Sequence, residues 1–208
     1  MIMAYEEVQA TPLSTVAEAF EEIADIVENG KEEFRLKTFC DACALVSVLF
    51  NSLGFAFKFA EMEYCSKIRG LSESSERYIT LHDVLDADVE GDTVKSPGSL
   101  SRNLRRVRQG LDLIRALFEQ FLSVRDCSLR EAASIAYTET CAPHHSWAIR
   151  AAVAAGMYTL PSRDQLLINL HETDESAEKR MRRYMKAVHP VIQYIDKLYV
   201  ARNISLDW

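Results

Sequence analysis

Long hydrophobic runs are missing from this chain. Its most apolar window, Ala42 to Phe57, holds 16 residues without a charge, and Ser47, Asn51, Ser52 and Gly54 interrupt it. A membrane-spanning helix needs roughly 20 predominantly apolar residues, so no span is expected. Met1 to Val8 also lacks a basic stretch followed by an apolar one, which removes the pattern of a secretory leader. Excess positive charge is absent as well. The net charge of −7 disfavours a nucleic-acid partner and leaves any anion site to a local patch. The five cysteines, Cys40, Cys43, Cys65, Cys127 and Cys141, are odd in number and scattered, which fits reduced thiols in a reducing compartment. Cys40 and Cys43 form a C-x-x-C, but no second such pair and no histidine pair at zinc spacing accompanies it. Two buried thiols on a helix are the simpler reading, and no metal or cofactor is expected. The sequence contains no G-x-S-x-G, no H-E-x-x-H and no phosphate-binding glycine loop, so no catalytic residue is assigned. Strand patterns, internal repeats and low-complexity tracts are missing too.

What remains is a soluble, intracellular, all-α chain. Hydrophobic content of 48% suffices to bury a real core, and the short loops favour a single domain over 1–208, with a short flexible N-terminus over 1–12. Apolar spacing predicts helices over about Leu13–Glu28, Glu33–Leu53 and Phe55–Arg69, the last stopping at Gly70. A fourth follows Ser72–Ser75 and continues to about Asp88. Glu90-Gly91-Asp92 and Pro97-Gly98 mark a loop. The clearest helix spans about Ser99 to Val124. Its residues Leu100, Leu104, Val107, Leu111, Ile114, Phe118 and Phe121 form one stripe at intervals of three or four. Further helices run from Ser128 to before Pro143, from Pro143 to Gly156, after Pro161-Ser162, and over Asp174–Ala201, where Pro190 is expected to kink the chain.

Three groups of side chains carry possible chemistry. Cys141-Ala-Pro-His-His-Ser-Trp-Ala-Ile-Arg150 puts His144, His145 and Trp147 on the first turn of a predicted helix, because proline suits the first helical position. Polar donors facing an apolar interior can hold the polar neck of a lipid, although a lone histidine there is more often a core residue with its own partner. Trp147, too, is by default a core residue. Arg102 and Arg106 share a helix face with Arg105 and Arg108 nearby. Like charges four residues apart repel, and a bound anion would relieve them, yet a solvated face explains the pair equally simply. Glu63 and Lys67 are four apart in the stabilising order for a surface ion pair, worth only about 0.3–0.5 kcal/mol. Phe55, Phe57 and Phe59 alternate, so a helix would turn at least one away from the core.

Taken together these segments resemble a known family. Phe57-Lys-Phe-Ala-Glu-Met-Glu-Tyr-Cys-Ser-Lys67 looks like the acid- and lysine-bearing segment of the glycolipid transfer protein superfamily. Ser101-Arg-Asn-Leu-Arg-Arg-Val-Arg108 looks like the arginine helix of its ceramide-1-phosphate branch, and resembles that of plant members linked to cell death. Ala142-Pro-His-His-Ser-Trp-Ala-Ile-Arg150, Gly156-Met-Tyr-Thr-Leu-Pro161 and Asp207-Trp208 extend the likeness from about Val16 to Trp208. The resemblance implies an all-helical, two-layer sandwich enclosing a lipid pocket. It also implies transfer of single sphingolipids between membranes without chemistry, by a cytoplasmic protein that meets membranes transiently. Carried over by position, Lys67, Arg102 and Arg106 would hold the phosphate of ceramide-1-phosphate or a related lipid. His145, two residues before Trp147, would bond the acyl carbonyl, and Glu63 would accept the amide N–H. Two residues depart from the family pattern: Glu63 stands for an aspartate, and Ser146 for a more usual glycine or proline. The arginine helix carries no tryptophan, which argues against a neutral sugar headgroup. Other readings are a sphingolipid sensor or regulator of cell death acting through a protein partner, a helical hydrolase using His145 with Glu63, and a ligand-free interaction protein.

Overall fold

Ten α-helices account for most of the computed structural model, which describes residues 10–30, 33–123 and 128–208. They are α1 (Pro12–Asn29), α2 (Leu36–Leu45), α3 (Ser47–Ser52), α4 (Lys58–Glu73), α5 (Leu81–Glu90), α6 (Leu100–Ser123), α7 (Leu129–Thr140), α8 (Trp147–Gly156), α9 (Arg163–Leu170) and α10 (Asp174–Val200). Among the described residues there is no strand, only an isolated antiparallel bridge between Arg35 and Thr80. Cys127 and the expected end of the arginine helix at Val124 lie outside the described residues, as does most of the expected flexible N-terminus.

Local chemistry sets most of the helix starts. Thr11, Thr80, Ser128 and Thr173 each cap a helix and are answered by the third helical residue, Ser14, Asp83, Glu131 and Ser176. Such reciprocal caps satisfy N–H groups that no helical carbonyl can reach. Helix α6 is the central strut. It packs against α4, α7, α10 and α5, while α1 lies along α10 and α2. Leu104, Val107, Leu111, Ile114, Phe118 and Phe121 of its stripe are all buried. Phe118 and Phe20 both meet the ring of Tyr184 edge-on, at centroid distances of 5.6 and 5.3 Å. Burying each such aromatic body contributes about 1.5–3 kcal/mol.

Several expected boundaries move. The single helix expected over Glu33–Leu53 is two. Arg35 is extended and bridged to Thr80, so helix begins only at Leu36. At Val46 the N–H bonds to Cys43 three residues back, and the Ser47 hydroxyl takes the Ala44 carbonyl at 2.7 Å, which breaks the ladder. Phe55–Phe57 is a 3-10 turn before α4, and α4 runs past Gly70 to Glu73. Gly70 is a packing residue and not a stop. A Cβ there would come within 2.9 Å of Asn103 Nδ2 on α6. The expected fourth helix starts later, at Leu81, because Thr80 caps it; Ile79 precedes it and is exposed. Helix α10 continues through Pro190.

Cys40 and Cys43 lie buried in α2, as read from the sequence. Burial pushes the Cys40 thiol up to about 12 and the Cys43 thiol well up, so neither is a thiolate at neutral pH. No helix of the described residues is long and apolar enough to cross a membrane.

Candidate functional site

Two close contacts set how α4 and α6 face each other. Gly70 meets Asn103, and the Tyr64 ring lies where a Cβ on Gly110 would stand, at 2.6 Å. The two helices therefore run antiparallel. Three residues before Gly70 stands Lys67, and three after Asn103 stands Arg106, so these two cations are level across the helix pair. Glu63, Lys67 and Gly70 share one edge of α4, and Asn103, Arg106 and Gly110 share the opposing edge of α6, by the helical period. Lys67 and Glu63 make the expected i,i+4 ion pair at 3.5 Å, with Lys67 the more covered partner.

The four arginines of α6 divide sharply. Arg105 is buried, and its Nη1 donates to Asp196 of α10 at 3.0 Å. Arg108 donates to Asp196 from Nε and Nη2, at 2.9 and 2.6 Å, and to Asp112 at 2.7 Å. Burial works against the Arg108 charge, but Asp196 and Asp112 outweigh it and raise its pKa. Arg102 and Arg106 are half-buried and bond only to neutral acceptors. Arg102 Nη1 donates to the Lys95 carbonyl at 2.7 Å, and Arg106 Nη1 to Gln109 Oε1 at 2.6 Å. Burial, then the neighbouring Arg102 and Arg105, push the Arg106 pKa down. Among the described residues no carboxylate ion-pairs with either. Two guanidiniums sharing a face, with a lysine level with one of them, are a donor set that could serve an anion with several acceptor oxygens.

The histidine segment differs from its expected form. Ala142–His144 is a 3-10 turn, His145 is extended, and α8 begins at Trp147 with the Ser146 hydroxyl as its cap on the Ile149 N–H. The histidines are therefore not on a helical first turn. Ser146, a departure from the family pattern, supplies the cap. His145 Nδ1 lies 2.8 Å from Tyr137 Oη of α7. Burial, then Arg106 and His144, lower the His145 pKa, so it is neutral at physiological pH and stands within electrostatic reach of Arg106. His144 is lowered too, by burial and by Arg105, Arg106 and Arg108, and its Nδ1 is buried without a partner among the described residues. Glu63 pairs with Lys67 and His145 with Tyr137. Among the described residues the histidine–carboxylate pair of a hydrolase is thus not formed. Tyr137 escaped the sequence reading, although its place eight residues before His145 is a local signal.

Trp147 is not a core residue, as expected by default, but is 77% exposed, and α8 buries no side chain fully. Phe55 and Phe59 are likewise exposed while Phe57 is buried, in line with the expectation that at least one of the three turns away from the core. The Phe55–Phe57 turn, α8 and the Met157–Thr159 turn touch one another. Phe55, Trp147 and Tyr158 are thus exposed aromatics on three elements that touch one another.

The glycolipid transfer protein (GLTP) family model matches residues 34–172. The chain is 65% identical over 204 residues to the ACD11 homolog protein of Arabidopsis thaliana, covering 95% of this chain and 89% of that one. It is 28% identical over 173 residues to the ceramide-1-phosphate transfer protein of Danio rerio, covering 77% and 82%. Among solved structures, an aspartate-to-asparagine mutant of Arabidopsis accelerated-cell-death 11, complexed with C12 ceramide-1-phosphate, superposes with a TM-score of 0.92 at 43% identity, over 96% of this chain and all of that one. The helix order, the cationic edge between α4 and α6 and these likenesses agree: the chain belongs to the glycolipid transfer protein family.

Proposed function

We propose that this chain carries single phosphorylated sphingolipids, ceramide-1-phosphate foremost, between membranes as one domain and without catalysis. The observation that carries this reading is the contrast within α6: among the described residues Arg102 and Arg106 lack the carboxylates that neutralise Arg105 and Arg108, and Arg106 stands level with Lys67 across the α4–α6 pair. A phosphate monoester matches three such donors, and each charge-assisted hydrogen bond contributes about 1.5–3 kcal/mol. The likeness to proteins named for, or crystallised with, ceramide-1-phosphate supports the same lipid.

The other roles follow from the same geometry. Burial raises the Tyr137 pKa, so its hydroxyl keeps its proton, and in the tautomer this reading assigns it donates to His145 Nδ1. That leaves Nε2–H of the neutral imidazole as a donor for the acyl carbonyl. Glu63 accepts the amide N–H while keeping Lys67 beside the phosphate. The lipid chains, whose methylenes each contribute about 0.8 kcal/mol when buried, enter between the helices. Phe50, Tyr64, Tyr184 and Phe121 fill that interior here, so uptake requires those helices to part. The exposed rings of Phe55, Trp147 and Tyr158 meet the cytoplasmic membrane surface, where aromatic rings partition favourably.

Vesicle-to-vesicle transfer of ceramide-1-phosphate, ceramide and a neutral glycosphingolipid by the purified protein tests this. Ceramide-1-phosphate moves fastest, with no phosphate released and no partner protein needed. Equal transfer of the neutral glycosphingolipid, or no transfer without a partner, would overturn the reading.

A further inference from the structure

We infer that Gln109 is a specificity-determining positioning residue: it aims Arg106 at the phosphate and ties that guanidinium to the C-terminal segment Ile204–Trp208. The inference rests on the reading of Arg106 as a phosphate donor. Gln109 stands within the buried part of α6, only 5% exposed, where a polar side chain is costly unless it is bonded. Both ends of its amide are used. Oε1 accepts from Arg106 Nη1 at 2.6 Å, and Nε2 donates to the Trp208 carbonyl at a long 3.5 Å.

The C-terminal segment is itself held at several points on the cationic side of the molecule. Arg105 Nη2 donates to the Leu206 carbonyl. The Trp208 indole N–H returns to the Ser205 carbonyl at 2.6 Å, and its ring meets Tyr199 edge-on at 6.2 Å. Lys95 Nζ stands 5.4 Å from the same ring, and its carbonyl accepts from Arg102. Arg102 and Arg106 are each thereby bonded to a residue that the segment also touches, Lys95 and Gln109.

The choice of a neutral amide is chemically specific. Arg105 and Arg108 show what a carboxylate does to a guanidinium on this helix: it pairs and is spent. The Gln109 oxygen fixes the Arg106 fork without neutralising it, so the charge stays available to an incoming phosphate. A guanidinium already held in place loses less freedom on binding, which favours the phosphorylated lipid over its unphosphorylated counterpart.

The test is the ratio of ceramide-1-phosphate to ceramide transfer, with thermal melting in parallel, for wild type, Gln109→Leu, Gln109→Glu, Trp208→Ala and Arg106→Leu. Gln109→Leu lowers the ratio by about fivefold, the worth of one hydrogen bond. Gln109→Glu lowers it further, because its carboxylate captures Arg106. In an Arg106→Leu background Gln109→Leu has no further effect on the ratio. Trp208→Ala lowers the ratio by about twofold, and not at all once Gln109 is leucine. A purely structural Gln109 would slow both lipids alike and leave the ratio at the wild-type value, which overturns the inference. A Trp208→Ala protein with the wild-type ratio overturns the tie to the C-terminal segment. If Arg106→Leu itself keeps the ratio, the failure belongs to the phosphate-site reading and not to Gln109 alone.

Discussion

Arg105 and Arg108 alternate with Arg102 and Arg106 along one helix, yet the two pairs live in different chemical worlds. The first pair reaches across to Asp196 of α10, about ninety positions away in the chain, and is buried or nearly so. Among the described residues the second finds only a carbonyl and an amide oxygen. A paired buried guanidinium ties two helices together and offers little to a ligand. One left with neutral acceptors keeps its charge for something that arrives later. On the proposed function the same residue type serves architecture at Arg105 and Arg108 and recognition at Arg102 and Arg106, and position relative to carboxylates decides which.

That contrast is broken most forcefully through Asp196. Asp196→Asn leaves Arg105 without its carboxylate and Arg108 with Asp112 alone, so the fold loses about 3 kcal/mol, as when a buried ion pair loses one partner. For a chain of this size that lowers the melting temperature by several degrees, while lipid selectivity survives. Arg106→Leu does the converse. It costs about 1.5–3 kcal/mol of ceramide-1-phosphate binding and lowers the melting temperature less than Asp196→Asn does, by the roughly 1 kcal/mol of leaving the buried Gln109 oxygen without its donor. Tyr137→Phe removes the bond that orients His145 and weakens binding of both ceramide and ceramide-1-phosphate by about 1 kcal/mol, because the acyl carbonyl is common to them. Direct binding isotherms for the two lipids read both effects.

The histidines add a smaller, pH-dependent contribution. His144 and His145 have pKa values below the ordinary 6.5 in the folded chain, burial being the first cause for each. The unfolded chain therefore binds protons more readily in that range. Stability is full above pH 6.5 and falls as the pH drops through the lowered values. Denaturation at a series of pH values from 7.5 to 5 shows the decline, and a His144→Gln, His145→Gln double variant flattens it. A wild-type stability that rises as the pH falls would contradict this. The smallest effect is expected at Glu63. Glu63→Asp retains or improves ceramide-1-phosphate transfer, because the acceptor and its charge beside Lys67 remain; a transfer assay in which it moves no lipid would make glutamate a requirement.

Much of the architecture was legible because it is local. The α6 stripe, the α7 and α9 starts and the buried Cys40–Cys43 pair follow from helical period and capping residues. The misplaced boundaries share a cause, which is that distant partners decided them. Gly70 reads as a stop until Asn103 is seen against it, and Arg35 reads as helix until Thr80 holds it extended. His145 was placed on a helix because Pro143 signals a helical start, while the Ser146 cap that begins α8 was passed over. The likeness to the family drew Lys67, Arg102 and Arg106 out of four similar arginines and many lysines. Composition and spacing alone cannot separate Arg106 from Arg105, since Asp196 makes the difference from another helix.

The most direct test is the thermal shift on adding ceramide-1-phosphate, measured side by side for wild type, Asp196→Asn and Arg106→Leu. The expected result is a lower starting melting temperature for Asp196→Asn with a wild-type-sized ligand shift, and a smaller drop in starting temperature for Arg106→Leu with most of the ligand shift lost. A full ligand shift in Arg106→Leu, or its loss in Asp196→Asn, would contradict the division of labour along α6.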